Sequence, residues 1–331
     1  MTITSVNIWL VLVGLLSGLL IEWLILSVVR RPGWLAEVNE RSSHAAPTPT
    51  MGGLMIVLVV SAYLIYLWSL DIEMGAALLT GGVAMAAVGL WDDLSPLSAR
   101  IRLPVHMLAA AGVLSVLGFD SFSVVWCLAL LGFVWFVNLF NFMDGIDGIA
   151  TAQALVFCLG VQWLVGPVPG WSGELLWVTI SASVAFLAFN WPPAKIFMGD
   201  VGSGFLGFLI AAMVMHLWMT DVLPLITSMI LLAGFWFDAT YTLCVRILTQ
   251  QRFTQAHRSH LYQRLADRKG HQWTTSAYLL FVCVWLVPLA WLSLHEPAWA
   301  IWVLIAAVAP LMMLCIRFRA GIGTVAWTPT S

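Results

Sequence analysis

Charge is what this 331-residue chain has least of. Asp, Glu, Lys and Arg make up 9% of it, against roughly 25% in soluble domains, while 61% of its residues are hydrophobic and its mean hydropathy is +0.96. A water-facing surface cannot be built from so few charges, and a soluble globular fold is excluded. The 14 Lys and Arg against 16 Asp and Glu leave a net charge of -2. That supplies no basic excess for a nucleic-acid-binding face, so nucleic acid is not an expected partner. The five cysteines, Cys127, Cys158, Cys244, Cys283 and Cys315, lie in apolar runs without CxxC spacing. Their odd number and placement argue against a disulfide framework or zinc cluster and leave them as small apolar fillers. The N-terminal run is not expected to act as a cleavable leader: from Asn7 to Val29 it is too long, lacks a basic start and is followed by Arg30 and Arg31. This run is expected to stay as the first membrane span.

What is abundant is apolar length. A crossing of roughly 30 Å of hydrocarbon takes about 20 residues. That ruler places spans near 7–29, 52–69, 74–91, 103–119, 121–140, 149–166, 175–190, 203–219, 223–245, 275–293 and 297–316. The expected fold is all-α and polytopic, with about 11 transmembrane helices. The short breaks at 69–73, 118–120, 219–221 and 295–297 carry acids but no Lys or Arg, and all 14 basic residues fall in the other breaks. By the positive-inside bias the N-terminus is periplasmic and the C-terminus cytoplasmic, which an odd number of spans satisfies. The same inner side receives the polar segments 31–51, 91–102, 138–148, 190–203 and 246–274, so an active face is expected toward the cytoplasm.

Those segments carry a consistent chemistry. Asp92 and Asp93 are adjacent carboxylates at the end of the third span, an arrangement that favours a cation or Arg partners; the plain alternative is an acid-capped helix end neutralised by Arg100 and Arg102. Asn138, Asn141 and Asp144 recur every third residue, and Asp147 continues the spacing if the helix persists, putting oxygen and amide groups on one face. Gly145 and Gly148 give tight turns beside them. Carboxylates in that setting suit Mg2+ and a sugar nucleotide. Pro192 and Pro193 stop the seventh helix after Asn190; beyond them Lys195 is a point charge for phosphate, Asp200 a hard metal ligand, and Gly202 allows close approach to the next helix start. His257, Arg258 and His260 are expected to orient phosphate, with a surface helix lying on anionic lipid as the alternative. Asp238, inside the ninth span, must be paired or line a cavity.

Together these motifs resemble the polyprenyl-phosphate N-acetylhexosamine-1-phosphate transferases, a family that includes the phospho-N-acetylmuramoyl-pentapeptide transferases. The resemblance runs over nearly the whole chain. It rests on 39–44 with Pro47, Thr48 and Pro49, on Asp92 and Asp93 followed by Arg102 and Leu103, on 141–148, on 193–203 and on 257–260. It implies a single transmembrane catalytic domain over 1–331 in the inner membrane. That enzyme would join a UDP-N-acetylhexosamine (N-acetylglucosamine, N-acetylfucosamine or N-acetylquinovosamine) to undecaprenyl phosphate and release UMP. Mg2+ is the implied cofactor, with Mn2+ as a substitute, and a homodimer is among the implied assemblies. Asn39, Arg41, Ser42, Ser43, His44 and Thr48 would line the nucleotide-sugar entrance. Asp92 would activate or position the lipid phosphate, and Asp93 and Asp200 would hold the metal. Asp144 and Asp147 would organise the site, and Arg102, Asn138, Asn141, Asn190, Lys195, His257, Arg258 and His260 would contact substrate.

Two departures from the family pattern concern the donor sugar more than the reaction. Met51 replaces a phosphate-facing Arg common in relatives, and His106 replaces the Gln that usually follows the Arg-Leu motif. The 257–260 motif and the short outer loops are similar to the O-antigen-initiating branch. A transporter and a non-catalytic scaffold are the rival classes. A transporter needs polar residues at midplane with access from both sides, whereas here they gather on one face.

Overall fold

The computed structural model describes residues 8–29, 35–36, 48–251 and 257–323. The chain is a bundle of helices: α1 (Ile8–Val29), α2 (Gly53–Ser69), α3 (Glu73–Leu94), α4 (Ala99–Val116), α5 (Val124–Phe142), α6 (Ile149–Val165), α7 (Gly170–Asn190), α8 (Gly199–Met219), α9 (Leu225–Leu231), α10 (Ala233–Leu248), α11 (Leu261–Lys269), α12 (His271–Phe281), α13 (Val287–His295) and α14 (Ala300–Arg317). A π turn at Val282–Leu286 joins α12 to α13 as one 25-residue apolar unit, accommodating Pro288, which has no N–H to give. Two residues each of β1 (Leu35–Ala36) and β2 (Thr48–Pro49) pair antiparallel within a segment expected to be wholly loop.

Each of the eleven expected spans has a helix at its position, but they are not equivalent. Among the described residues eight helical units are long and apolar enough to cross a membrane, or nine if α9 and α10 count as one span. Helices α2 and α6 are apolar but only 17 residues long. The expected continuous span at 223–245 is instead broken at Leu232, where α9 and α10 meet at 81°. The break frees the Met229 carbonyl from helical pairing, and the Trp236 indole N–H donates to it at 2.8 Å. A kink in an apolar setting persists only if such groups find partners.

The bundle closes around α8, which is buried along most of its length. Small residues let the backbones meet, the usual device where lipid gives no hydrophobic drive for helix association. Gly14 and Gly18 of α1 face Ser181 and Ala185 of α7, and Gly81 and Gly82 of α3 receive the rings of Phe208 and Phe205 from α8. At one end the approach is tighter still. Gly53 of α2 lies against Gly202 of α8, and Gly89 of α3 lies against the carbonyl of Asp200. Gly202 is therefore spent on helix contact with α2, which corrects the expectation that it opens the start of this helix to a ligand.

Candidate active site

The first turn of α8 is where the site is built. Asp93, at the end of α3, accepts hydrogen bonds from Asp200 N–H at 2.9 Å and Val201 N–H at 3.0 Å, one on each carboxylate oxygen. Those amides have no partner within the helix, so a carboxylate from α3 caps α8 and fixes the direction of Asp200. The Asp200 Oδ1 accepts from Asn141 Nδ2 at 2.8 Å, and the same amide donates to Ser203 Oγ at 2.9 Å. Next door, Asp92 accepts from Leu97 N–H and from Arg102 Nη1, both at 2.5 Å, and Arg102 lies 3.7 Å from Asp200.

Helix α5 ends at Phe142, so the three-residue spacing does not carry on to Asp144 and Asp147 as one helical face. Both carboxylates sit instead in the turn before α6. Burial, followed by the neighbouring Asp200, Asp93 and Asp147, pushes the Asp144 carboxyl well above the usual carboxylate range. Asp147 is different. Burial alone would raise it, but a hydrogen bond from His271, then one from Ala194 N–H, and the charge of His271 hold it below its ordinary value. His271 Nδ1 lies 2.9 Å from Asp147 Oδ1, Ala194 N–H donates to Oδ2 at 3.0 Å, and the Thr275 hydroxyl donates to the Asp147 carbonyl at 2.8 Å. Asn190 stitches the same region together, accepting from Gly148 N–H and donating to the Ile196 carbonyl.

Two cavities meet here. The larger, about 210 Å3, is lined by Thr50, Asp144, Asp147, Asn190, Phe197 and His271 among others. The smaller, about 20 Å3, is lined by Asp92, Arg102, His106 and Asn138 together with the apolar Met85 and Val88. Asn141 and Asp200 belong to both. Asn138 Nδ2 is 3.3 Å from His106 Nδ1.

The remaining predicted site residues stand elsewhere. Lys195 is exposed, its Nζ 5.8 Å from the Phe189 ring centre. Arg258 pairs with Asp267 at 2.6 Å. His260 is buried between the rings of His257 and Tyr262, with Nδ1 3.6 Å from Asp238. His257 Nδ1 lies 2.9 Å from Ser259 Oγ. None of these four lines either cavity. Asp238 is paired, as its burial required: it accepts from Leu261 N–H at 2.9 Å and Tyr262 N–H at 3.0 Å, capping α11 from α10. Tyr262 in turn donates to the Phe142 carbonyl at 2.9 Å, docking α11 beside the site turn. Thr48 is in β2, while Asn39, Arg41, Ser42, Ser43 and His44 lie outside the described residues. Sequence reasoning passed over His271, Thr50 and Phe197 as cavity residues. A lone His directly after Lys269 and Gly270 offered no motif, although a glycine before an apolar run does mark a helix start there.

The donor set bears on a metal. Among the described residues no group of three or more His, Cys, Asp or Glu is arranged to hold one. Mg2+, however, commonly takes only one or two carboxylates and completes its shell with water and substrate phosphate. Asp144 and Asp200 facing one cavity fit that mode and do not fit an all-protein cage.

A helical membrane bundle with carboxylates and one Arg gathered around two adjoining cavities has the makings of a phosphoryl-transfer enzyme. Residues 75–218 match the model of glycosyl transferase family 4. The "Probable undecaprenyl-phosphate N-acetylglucosaminyl 1-phosphate transferase" of Bacillus subtilis is 30% identical over 276 residues, covering 77% of this chain and 75% of the relative. The decaprenyl-phosphate N-acetylglucosaminephosphotransferase of Mycobacterium leprae is 27% identical, over 84% of this chain and 82% of the relative. The phospho-N-acetylmuramoyl-pentapeptide-transferase of Aquifex aeolicus is 30% identical, over 54% and 61%. The chain belongs to glycosyl transferase family 4, the group in which the polyprenyl-phosphate sugar-1-phosphate transferases fall.

Proposed function

We propose that the protein transfers an N-acetylhexosamine 1-phosphate from a UDP-sugar to undecaprenyl phosphate at the cytoplasmic face of the inner membrane. The products are undecaprenyl-diphospho-sugar and UMP, in the step that initiates O-antigen or a related cell-surface polysaccharide. The whole chain acts as one catalytic unit, N-terminus out and C-terminus in. The observation that carries this reading is the pair of cavities sharing Asn141 and Asp200: two phosphates held on either side of those residues are adjacent, as direct transfer requires. Support for the substrates comes from the names of the relatives, of which the N-acetylglucosaminyl 1-phosphate transferase of Bacillus subtilis is covered more fully than the muramoyl-pentapeptide enzyme.

The larger cavity takes the sugar nucleotide, and the lipid phosphate docks at the smaller one, which Arg102 lines. An oxygen of the lipid phosphate attacks the phosphorus that bears the sugar, and the bond from that phosphorus to the bridging oxygen breaks. UMP leaves with the electron pair. Arg102 counters charge on the incoming phosphate, and Asp92 orients Arg102 through their 2.5 Å contact. Asp200 and Asp144 would hold Mg2+, while Asp93 serves by capping α8. When bound, Mg2+ neutralises diphosphate charge and stabilises the departing phosphate.

The test is UMP release and lipid-product mass from detergent-purified protein given Mg2+, undecaprenyl phosphate and a panel of UDP-N-acetylhexosamines. Acceptor-dependent UMP with one matching lipid mass is expected. No turnover across the panel by folded protein would overturn the reading.

A further inference from the structure

The larger cavity has a charge problem. Three of its lining residues, Asp144, Asp147 and Asp200, are carboxylates, and Asp92 and Asp93 stand just behind. The ligand assigned to it is itself an anion. Among the described residues that line this cavity, one side chain can carry positive charge: His271, at the start of α12. Lys195 and Arg258 do not reach it, and Arg102 faces the smaller cavity.

His271 is also held in one orientation. Its Nδ1 meets Asp147 Oδ1 at 2.9 Å, and Asp147 is immobilised by Ala194 N–H on its other oxygen and by Thr275 on its carbonyl. With Nδ1 on a carboxylate oxygen, Nε2 is the ring atom left for a ligand, and a ring that donates from both nitrogens can bridge that carboxylate and a phosphate oxygen. The Asp147–His271 pair joins the turn before α6, the segment after α7 and the start of α12, so the ring cannot move without disturbing three elements.

Resting on the function proposed above, we infer that His271 is a substrate-contacting residue: its Nε2–H donates to a phosphate oxygen of the bound donor nucleotide, with Asp147 as the positioning residue that orients the ring. It supplies, on the nucleotide side, the positive contact that Arg102 supplies on the acceptor side.

Phosphate contact and base contact make different predictions, and binding of uridine, UMP and UDP separates them. Purified full-length protein, His271→Gln and Asp147→Asn are compared by calorimetric competition with all three ligands, alongside UMP-release kinetics. In His271→Gln, affinity for UMP and UDP is expected to fall about 10- to 100-fold, the scale of one hydrogen bond to a charged group, while uridine affinity stays within about twofold. Retained uridine binding also certifies that the variant is folded. Asp147→Asn should show the same pattern more weakly, because the amide oxygen can still accept from Nδ1 and hold the ring in place. Equal loss of uridine and UMP affinity would place His271 on the base or in a purely structural role and overturn the inference. So would unchanged UMP affinity in His271→Gln, with wild-type turnover intact. A wild-type protein that bound no uridine ligand would sink the functional reading as well, a result distinct from either variant outcome.

Discussion

Asp93 and Asp238 each accept two successive backbone N–H groups at the start of a helix to which they do not belong. The helices they serve could hardly differ more. Helix α8 has 21 residues, is buried along most of its length and is packed against α2, α3 and α5. Helix α11 has nine residues, only four of them buried, and is too short to hold itself together in isolation. The same hydrogen-bonding device therefore does two jobs. At α8 it sets where a stable helix points its first turn, and at α11 it decides whether the helix stays docked. One region is built to place charge accurately, the other is attached through a few polar contacts.

The largest expected effect belongs to the α8 side. Asp200→Asn should cut UMP release by roughly 100- to 1,000-fold, the cost of losing one preorganised electrostatic contact, without moving the thermal unfolding midpoint. Retention of activity within tenfold would remove the chemistry from that region. Next comes Gly89→Ala, whose new methyl would strike the Asp200 carbonyl and the Val201 amide. Relieving the overlap should cost about 1–3 kcal/mol and carry Asp200 out of position. Gly112→Ala, where a methyl meets nothing within 4 Å, is the control, and equal behaviour of the two would show that the close approach is unimportant.

Asp238→Ala tests the α11 side. Two buried amides lose their acceptor, at about 2 kcal/mol. Hydrogen exchange should quicken across 261–269 while α8 remains protected. Exchange that rose equally in both helices would erase the distinction between them. The smallest effect concerns pH. Burial, then His260 and Arg246, push His257 down to about 3 from 6.5. The unfolded chain thus takes up a proton that the folded one refuses, and the stabilisation present above pH 6.5 is lost as pH falls from 6.5 toward 3. With His257 partly open to solvent the loss should stay within about 1 kcal/mol by pH 5.5. Thermal midpoints of wild type and His257→Gln across pH 8 to 5 would show it, and parallel curves would rule it out.

Hydropathy located a helix at each expected position because each apolar run is bounded by polar or glycine-rich breaks. It could not show the bend at Leu232, since no proline marks it and the compensating bond comes from a tryptophan already inside the apolar pattern. It also could not rank the polar residues. Asp144, Asp147, Asp200, Asn141 and Asn190 stood out because carboxylates and amides are costly near lipid, and they do line the larger cavity. His257, His260 and Arg258 stood out as polar groups too, yet two of them lie against acidic protein partners, Asp238 and Asp267, that stand 22 and nine residues away in sequence. Which polar group a neighbour consumes is a tertiary fact. His271 shows the converse: a residue without a motif became prominent once Asp147, 124 positions earlier in sequence order, was seen beside it.

Asn141 and Asp200 border both cavities, and this restricts how the protein can diversify. A substitution at either position alters both substrate environments at once, so neither can be used to change one preference and leave the other intact. Independent variation is confined to residues touching a single chamber: Thr50, Ile146 and Asn190 on one side, Met85, Val88 and His106 on the other. On the proposed assignment of the cavities, descendants that acquire a new sugar and descendants that acquire a new lipid should therefore differ at separate positions, and the two traits should recombine freely.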